Sequence, residues 1–551
     1  MKKILLSCIA SSFLLASNYR IVNLSSDAIA LSGANLAKSY GADAAVINPA
    51  NMAFLGQDAQ LDLSLNYYHI HGSKYTDEYR QESKAQGKEY LNAKDDRGSN
   101  FNFGMPELSF VLPLNEEHYL GFAAYTDFDA VYGWEGNYAQ SLVKKLDMRG
   151  GTLALSYAYK VTDEYSLAFS LFANHTKLKF YNTKDNALNQ DYPLNPGYSS
   201  NITGYTPHWV YDASFKANNN IKFGFKTALT YVPNYLDNKF RFSLVYKSAY
   251  NNDFEGDLNV RILTWGMFDF VKNTMAANPS LVTSKLPQAL VPILQAALGV
   301  FQQNPASFLN NYMTYNGNTN INLLYPASLN VGFAYEYDKH DFLLNLGYTF
   351  WSKFNGINLN AQVPELSAED MKKIATASQT LAAANAAANG AAAAANGAAN
   401  GAAAVASRAA SGASQAIQAL LADEKIKSYL LATMLNQNLD TKWKDTLLIS
   451  LGYRYKYNDD LALMFGFQTE NTPISRRDVT FLSKDSRVFM YSLGADYKYN
   501  KNLSFQSALA YQAYADIGLE NNAVDDILIK AKGQFKDQYN IIFNMGLKYK
   551  F

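Results

Sequence analysis

At 551 residues the chain is long enough for several soluble domains or one large architecture, but only 17% of it is charged, against about 25% in soluble domains, and 14% is aromatic. Lys plus Arg and Asp plus Glu both number 48, so no net charge points to nucleic acid or an anionic surface. Cys8 is the only cysteine, which excludes a disulfide framework and a thiolate metal site.

The opening MKKILLSCIASSFLLAS has a charged start, Lys2 and Lys3, and an apolar run over 4–16. That run suits a signal peptide over 1–17 and is too short to span a bilayer as a helix. Residues 18–58 are rich in Ala, Gly, Ser and Asn, which pack backbone on backbone. They read as a compact N-terminal plug or as an ordered tail leading into the next element. In INPANM, Asn48 can cap and Pro49 suits a first helical position.

From residue 59 onward the pattern has period two, which means strands. GGTLALSYAYKV sets Leu153, Leu155, Tyr157 and Tyr159 against Thr152, Ser156 and Lys160. PASLNVGFAYEYD sets Leu329, Val331, Phe333, Tyr335 and Tyr337 against Asn330, Gly332 and Glu336, and the same alternation recurs in DTLLISLGYRYKYN and VFMYSLGADYKYN. The runs last roughly 10 to 12 residues and end in aromatics, as membrane-crossing strands with an interfacial girdle do. Soluble strands are nearer about 5 or 6.

Six short turns, at 115–118, 162–164, 233–239, 338–341, 458–460 and 500–502, alternate with long loops near 76–98, 134–147, 181–220, 262–320, 356–442, 473–487 and 516–536. This layout predicts an all-β fold: a 14-stranded antiparallel transmembrane β-barrel over 59–551 in the outer membrane of a diderm bacterium. Two loops carry helical patterns, making extracellular insertions at about 262–320 and 356–442. The first holds Met267, Phe268, Phe270, Val271, Leu290, Ile293, Leu294 and Phe301, apolar residues with no obvious core and hence candidates for a ligand groove. The second contains LAAANAAANGAAAAANGAANGAAAVA (381–406), read as helical or partly disordered. The last stretch, QYNIIFNMGLKYKF, reads as the closing strand and must pair with 59–70.

Several stretches, taken in order, resemble the FadL family (OMPP1/FadL/TodX type), outer-membrane transporters of long-chain fatty acids and hydrocarbons. SGANLAKSYGADAAVINPANMAFL (32–55) resembles that family's hatch, with its Asn-Pro-Ala at Asn48, Pro49 and Ala50. MPELSFVLPLNEEHYLGFAAYTDF (105–128), RFSLVYKSAYNNDFEGDL (241–258), LGYTFWSKFN (346–355) and the block 443–500 are similar to its barrel segments. Residues 365–438 have no counterpart. The resemblance implies a hatch-plugged barrel, capture of a hydrophobic ligand by extracellular loops, and lateral exit through a kinked third strand. In YLGFAAYTDFDAVYGW (119–134) alternation weakens at Asp127, Phe128 and Asp129, where a kink is placed; a regular strand with two lumen-facing carboxylates is the other reading. Lys177 and Lys179, in a position resembling a basic strand end of the family, are candidates for a ligand carboxylate.

The implied function is passive uptake of hydrophobic small molecules, foremost long-chain fatty acids. The alternatives are aromatic or alkane hydrocarbon uptake, a surface adhesin or receptor that uses the Ala-rich extension, and a general diffusion porin. Further implied partners are outer-membrane lipid and, through the terminal aromatic Phe551, the barrel assembly machinery, with the chain a monomer. His69 and His71 share a strand face but lack a clear third ligand, so no metal or cofactor is called for, and no motif supports an enzyme.

Overall fold

The computed structural model describes residues 25–77, 95–127, 130–135, 143–182, 211–263, 312–354, 356–393, 399–439, 443–476, 479, 481, 484–519 and 533–551. Fourteen antiparallel strands form one wall. The first five are β1 Gln60–His71, β2 Phe101–Pro113, β3 in two pieces (His118–Tyr125 and Ala130–Gly133), β4 Lys145–Lys160 and β5 Tyr165–Asn182. Four two-piece strands follow: β6 Tyr211–Asn219 and Lys222–Tyr231, β7 Phe240–Lys247 and Tyr250–Leu263, β8 Tyr312–Tyr325 and Ser328–Tyr337, and β9 His340–Thr349 and Ile357–Ala361. The last are β10 Gln437–Leu439 and Thr446–Lys456, β11 Leu461–Glu470, β12 Val488–Lys498, β13 Leu503–Tyr514 and β14 Tyr539–Lys550. Neighbours follow chain order, and β14 returns to β1 in continuous register from Lys550 opposite Gln60 to Tyr539 opposite His71. Closure at the β14–β1 seam leaves no terminal sheet edge facing lipid, where each unpaired peptide group would cost several kcal/mol.

The two faces are inverted relative to a soluble protein. Leu155, Phe223, Leu493 and Met545 point outward, 60%, 73%, 53% and 60% exposed, whereas Asn66, Ser156, Ser170, Thr230 and Asn544 point inward and are buried. Aromatic pairs such as Tyr165–Tyr231 and His340–Tyr455 stack beside the short turns, with ring centroids 4.3 and 5.2 Å apart. β5 to β8 run further than the apolar alternation suggests, because their far halves, as in YMTYNGNTNINLLY, alternate with polar residues suited to water. The extension between β9 and β10 is helical: α3 Ala368–Ala393, α4 Ala399–Ala422 and α5 Glu424–Leu435. Ser367 and Asp370 cap α3 reciprocally, and Lys425 and Lys373 reach Asp370 and Asp423 at 3.0 Å, tying the helices to one another.

Residues 25–58 fold inside the barrel as a hatch. It comprises two short helices, α1 Ser26–Ala30 and α2 Ala44–Ile47, and a 3-10 turn at Pro49–Phe54, nearly all of it buried. The wall receives it with inward glycines. A Cβ on Gly121 would lie 2.6 Å from Met52 Sδ and 2.9 Å from Ala45 Cβ; on Gly332, 2.8 Å from the Ala37 nitrogen; on Gly452, 2.8 Å from Ala34 Cβ. Gly466, Gly494 and Gly546 face Leu31, Ala30 and Ser26 in the same manner. Small hatch residues therefore meet absent wall side chains.

Opposite the short turns, the bases of two long loops pair into a small rim sheet of Lys74–Asp77, Asp96–Arg97, Ile517–Leu519 and Gly533–Lys536. Period-two reading misses it because each piece is only two to four residues long. Beneath it Tyr75, Trp134, Phe481 and Phe535 cluster, with centroids 4.7 Å (Tyr75–Phe481) to 5.8 Å (Trp134–Phe535) apart. Lys484 is buried there, 4.6 Å from the Trp134 ring centroid and donating to Ser73 Oγ. Among the described residues no carboxylate lies within ion-pair distance of it, and burial pushes its ammonium down to about 7.

Two outcomes are expected. Gly466→Leu, which would drive a side chain into the Leu31 carbonyl carbon, should cost the docked hatch roughly 1–3 kcal/mol. It should also raise steady single-channel conductance while the heat-modifiable barrel band persists; wild-type conductance would refute this. Because the Lys484 value lies below its unfolded one, its contribution is complete above the unfolded value and is lost as pH falls through about 7. Proteolytic nicking of the rim, taken as wild type over Lys484→Met at each pH, should rise from pH 8 to 6 by at most about tenfold per unit. A flat ratio would contradict that.

Candidate functional site: hatch, lumenal cavity and a gap in the wall

The hatch is fastened by polar side chains that the wall directs inward. Asn48 caps the Pro49–Phe54 turn, its Oδ1 accepting from the Ala50 nitrogen at 3.1 Å, and its Nδ2 donates to the Leu36 carbonyl at 2.9 Å and to Thr230 Oγ1 at 3.0 Å. Pro49 occupies the first position of that turn and Ala50 is buried. Two ionic clasps lie on different parts of the wall. On β14, Lys548 Nζ reaches Asp27 Oδ2 at 2.6 Å and Asp496 Oδ2 at 3.2 Å, and Gln506 Nε2 donates to Asp27 Oδ1 at 2.7 Å. Near the β8–β9 turn, Lys38 Nζ lies 2.6 Å from Glu336 and 3.1 Å from Asp341, which also accepts from the Tyr40 hydroxyl at 3.0 Å. Asp27, Lys38, Asp341, Gln506 and Lys548 are buried, Tyr40 and Asp496 partly so, and Glu336 is 25% exposed.

The wall is interrupted at β3. Tyr125 stands opposite Thr152 of β4 and Ala130 opposite Met148, so four residues (126–129) lie against three (149–151): an insertion of one residue. β2 pairs with β1 along Phe101–Val111 but with β3 only from Leu108 to Pro113. The two strands meet again at the Gly98–Trp134 bridge and the bond from Ser99 N to the Gly133 carbonyl, 2.9 Å. Among the described residues the edge over 101–107 thus has no β3 partner. Pro106, which has no N–H to donate, sits in this stretch. From inside, Asn66 Nδ2 donates to the Met105 carbonyl at 3.2 Å.

The resulting gap measures about 820 Å³ and is lined by Leu63, Leu65, Pro106, Leu153, Met545 and Leu547, among others. Behind it, against the hatch, lies a lumenal cavity of about 100 Å³ bordered by Asn35, Val46, Asp127, Lys226, Lys247 and Asn345. Glu107, Tyr125 and Thr126 line both spaces, so the cavity and the gap adjoin through them. Asp127 turns inward and is buried, paired with Lys247 Nζ and accepting from the Tyr250 hydroxyl at 3.2 Å.

Of the residues singled out in the sequence, Asn48, Pro49 and Ala50 lie in the hatch and Asp127 at the strand break; Phe128 and Asp129 fall outside the described residues. So do Met267, Phe268, Phe270, Val271, Leu290, Ile293, Leu294 and Phe301. Lys177 and Lys179 stand on the outer, exposed face of β5, alternating with buried Leu178 and Phe180, and do not reach the lumen. β5 continues in register to Asn182, which fixes that parity. Sequence reasoning passed over Glu107, Tyr125, Lys226 and Lys247. Glu107 left one signal: a lone carboxylate in the apolar run MPELSFVL.

Lys548→Met would strand two buried carboxylates, Asp27 and Asp496, a change that typically costs about 3–5 kcal/mol. The hatch rather than the wall should yield. Bilayer recordings should show open current absent from the wild type, and a quiet channel would sink this assignment.

The sequence matches the family model described as outer membrane protein transport protein (OMPP1/FadL/TodX) over residues 7–551. Comparison with curated proteins found no match. Among solved structures the chain is similar to a Pseudomonas aeruginosa FadL homologue, at 15% identity and TM-score 0.62, covering 97% of this chain and 99% of that one. It is also similar to the P. putida toluene transporter TodX, at 13% identity and TM-score 0.58, covering 96% and 99%, and to the CymD monoaromatic hydrocarbon channel, at 13% identity and TM-score 0.53, covering 97% and 99%. At these identities the likeness is one of fold, and it agrees with a closed 14-stranded barrel. With the family model matched along nearly its whole length, the chain belongs to the OMPP1/FadL/TodX family of outer-membrane transport proteins.

Proposed function

We propose that this barrel carries out passive uptake of hydrophobic small molecules across the outer membrane, with the ligand leaving sideways through the gap beside β3. The observation that carries the reading is the adjacency of lumenal cavity and wall gap through Glu107, Tyr125 and Thr126. The physical case is energetic. Each methylene exposed to water costs about 0.8 kcal/mol, so ten of them cost about 8 kcal/mol along a water-filled pore. A side exit bounded by Leu63, Leu65, Leu153 and Met545 hands the chain to lipid without that exposure. No energy source is required beyond the ligand's gradient. Asn48, Pro49 and Ala50 hold the hatch behind the cavity, and Asp127 stands at the break.

Long-chain fatty acids and aromatic or alkane hydrocarbons share this route and differ at the polar end. TodX, a toluene transporter, and CymD, a monoaromatic hydrocarbon channel, support the hydrocarbon member of the pair; the sequence resemblance supports the fatty acid.

Gly151 on β4 borders the gap, and a Cβ there would meet nothing within 4 Å. Gly151→Trp should therefore fold normally yet fill the opening. Uptake of radiolabelled hexadecanoate and toluene by cells dependent on this barrel should fall roughly tenfold or more, the scale of a few apolar groups losing their path. Undiminished uptake of both would overturn lateral exit.

A further inference from the structure

We propose that the lumenal cavity binds the polar end of a neutral, hydroxyl-bearing hydrophobic molecule, a phenol or long-chain alcohol, in preference to an ionised carboxylate. The inference rests on the uptake reading above and adds the chemistry of the ligand's head.

Buried polar atoms in native proteins nearly always have partners, so a group of unsatisfied ones on the residues around one space points to what fills it. Four side chains lining the cavity carry such an atom: Asn35 Oδ1, Glu107 Oε2, Tyr125 OH and Asn345 Oδ1. All four residues are more than nine-tenths buried. The amide orientations are fixed by their other halves. Asn35 Nδ2 donates to Asp43 Oδ2 at 3.3 Å, and Asn345 Nδ2 donates to the Gly33 carbonyl at 3.2 Å, which leaves each Oδ1 as the free acceptor. Glu107 Oε1 already accepts from Ser109 Oγ at 3.2 Å. Three of the four atoms are therefore oxygens of amide or carboxyl groups, and the fourth is a hydroxyl.

The lysines on the cavity wall already have partners. The cavity is bordered by the carboxyl groups of Glu107 and Asp127 and by Lys226 and Lys247. Lys247 is paired with Asp127, and Lys226 donates to the Val46 carbonyl at 2.7 Å. An entering carboxylate could only accept hydrogen bonds and would leave the Asn35 and Asn345 acceptors unmet. A ligand hydroxyl donates to one of the acceptors and accepts from Tyr125, whereas an ether only accepts and a hydrocarbon does neither. At about 100 Å³ the cavity takes a head group, and the apolar remainder extends through the gap.

The test uses the purified full-length barrel in detergent and four matched probes: a para-alkylphenol, its methyl ether, the para-alkylbenzoate at pH 8 and the plain alkylbenzene. The phenol should bind at least about tenfold more tightly than the ether or the benzoate, the scale of one buried hydrogen-bonded partner. Glu107→Leu and Asn345→Leu should each shrink that ratio, with the heat-modifiable band reporting that the barrel is folded. The wild-type comparison stands without the variants. A wild-type phenol-to-ether ratio near one, or a benzoate that binds more tightly than the phenol, overturns the proposal. Uptake assays with the same probes separate the two readings. Cells that take up the alkylbenzene through this barrel while binding shows no preference for the phenol overturn this inference alone. Cells that take up none of the four overturn the uptake reading with it.

Discussion

A bilayer offers no water to a peptide group, and every other feature of this molecule follows from that. The wall must pair each N–H and C=O within itself, which β14 achieves by returning to β1 along its whole length. An opening in such a wall is therefore an exception that needs local compensation. Beside the edge left by β2, Asn66 Nδ2 donates to the Met105 carbonyl from inside, and Pro106 leaves one peptide nitrogen without a hydrogen to satisfy.

The hatch obeys a second constraint, volume. A lumen of this size must be filled or it becomes a pore, and this chain fills it with Ala, Ser and Asn packed against wall positions that carry no side chain at all. Close packing gives shape but little directional hold. The two ionic clasps, Lys548–Asp27–Asp496 and Lys38–Glu336–Asp341, supply direction. The Lys38 clasp reaches β8 and β9, whereas the Lys548 clasp reaches β12 and β14, and residues 545–547 of β14 line the gap. Removing a clasp and removing a glycine are thus physically different perturbations, one electrostatic and one steric, aimed at the same docked state.

Much of the wall was legible in the sequence because its information is local. Period two, inward Gly and Ser such as Gly494 and Ser492, and turns such as those at 162–164 and 500–502 need no knowledge of distant partners. The break after Tyr125 announced itself as a lapse in alternation. What remained hidden depends on register. Lys177 and Lys179 read as strand-end cations, but their parity with exposed Leu171 and His175 turns them outward. Glu107 and Lys226 meet at the cavity only because the wall brings β2 and β6 around it, and the rim sheet joins residues more than 400 positions apart, such as Tyr75 and Phe535. Contacts of that span leave no trace in a window of ten residues.

The single extra residue in β3 has an arithmetic meaning. Below the break the inward residues are odd-numbered: Tyr119, Gly121, Ala123 and Tyr125. Above it Ala130 and Tyr132 pair with the buried Met148 and Leu146 of β4, whose inward parity never changes. The strand has shifted phase by one while its neighbour has not. The opening is thus written in the count of residues as well as in their chemistry, and one deletion within 126–129 would bring the two halves of β3 back into phase. A porous seam and a sealed one differ in this chain by the length of a single peptide unit.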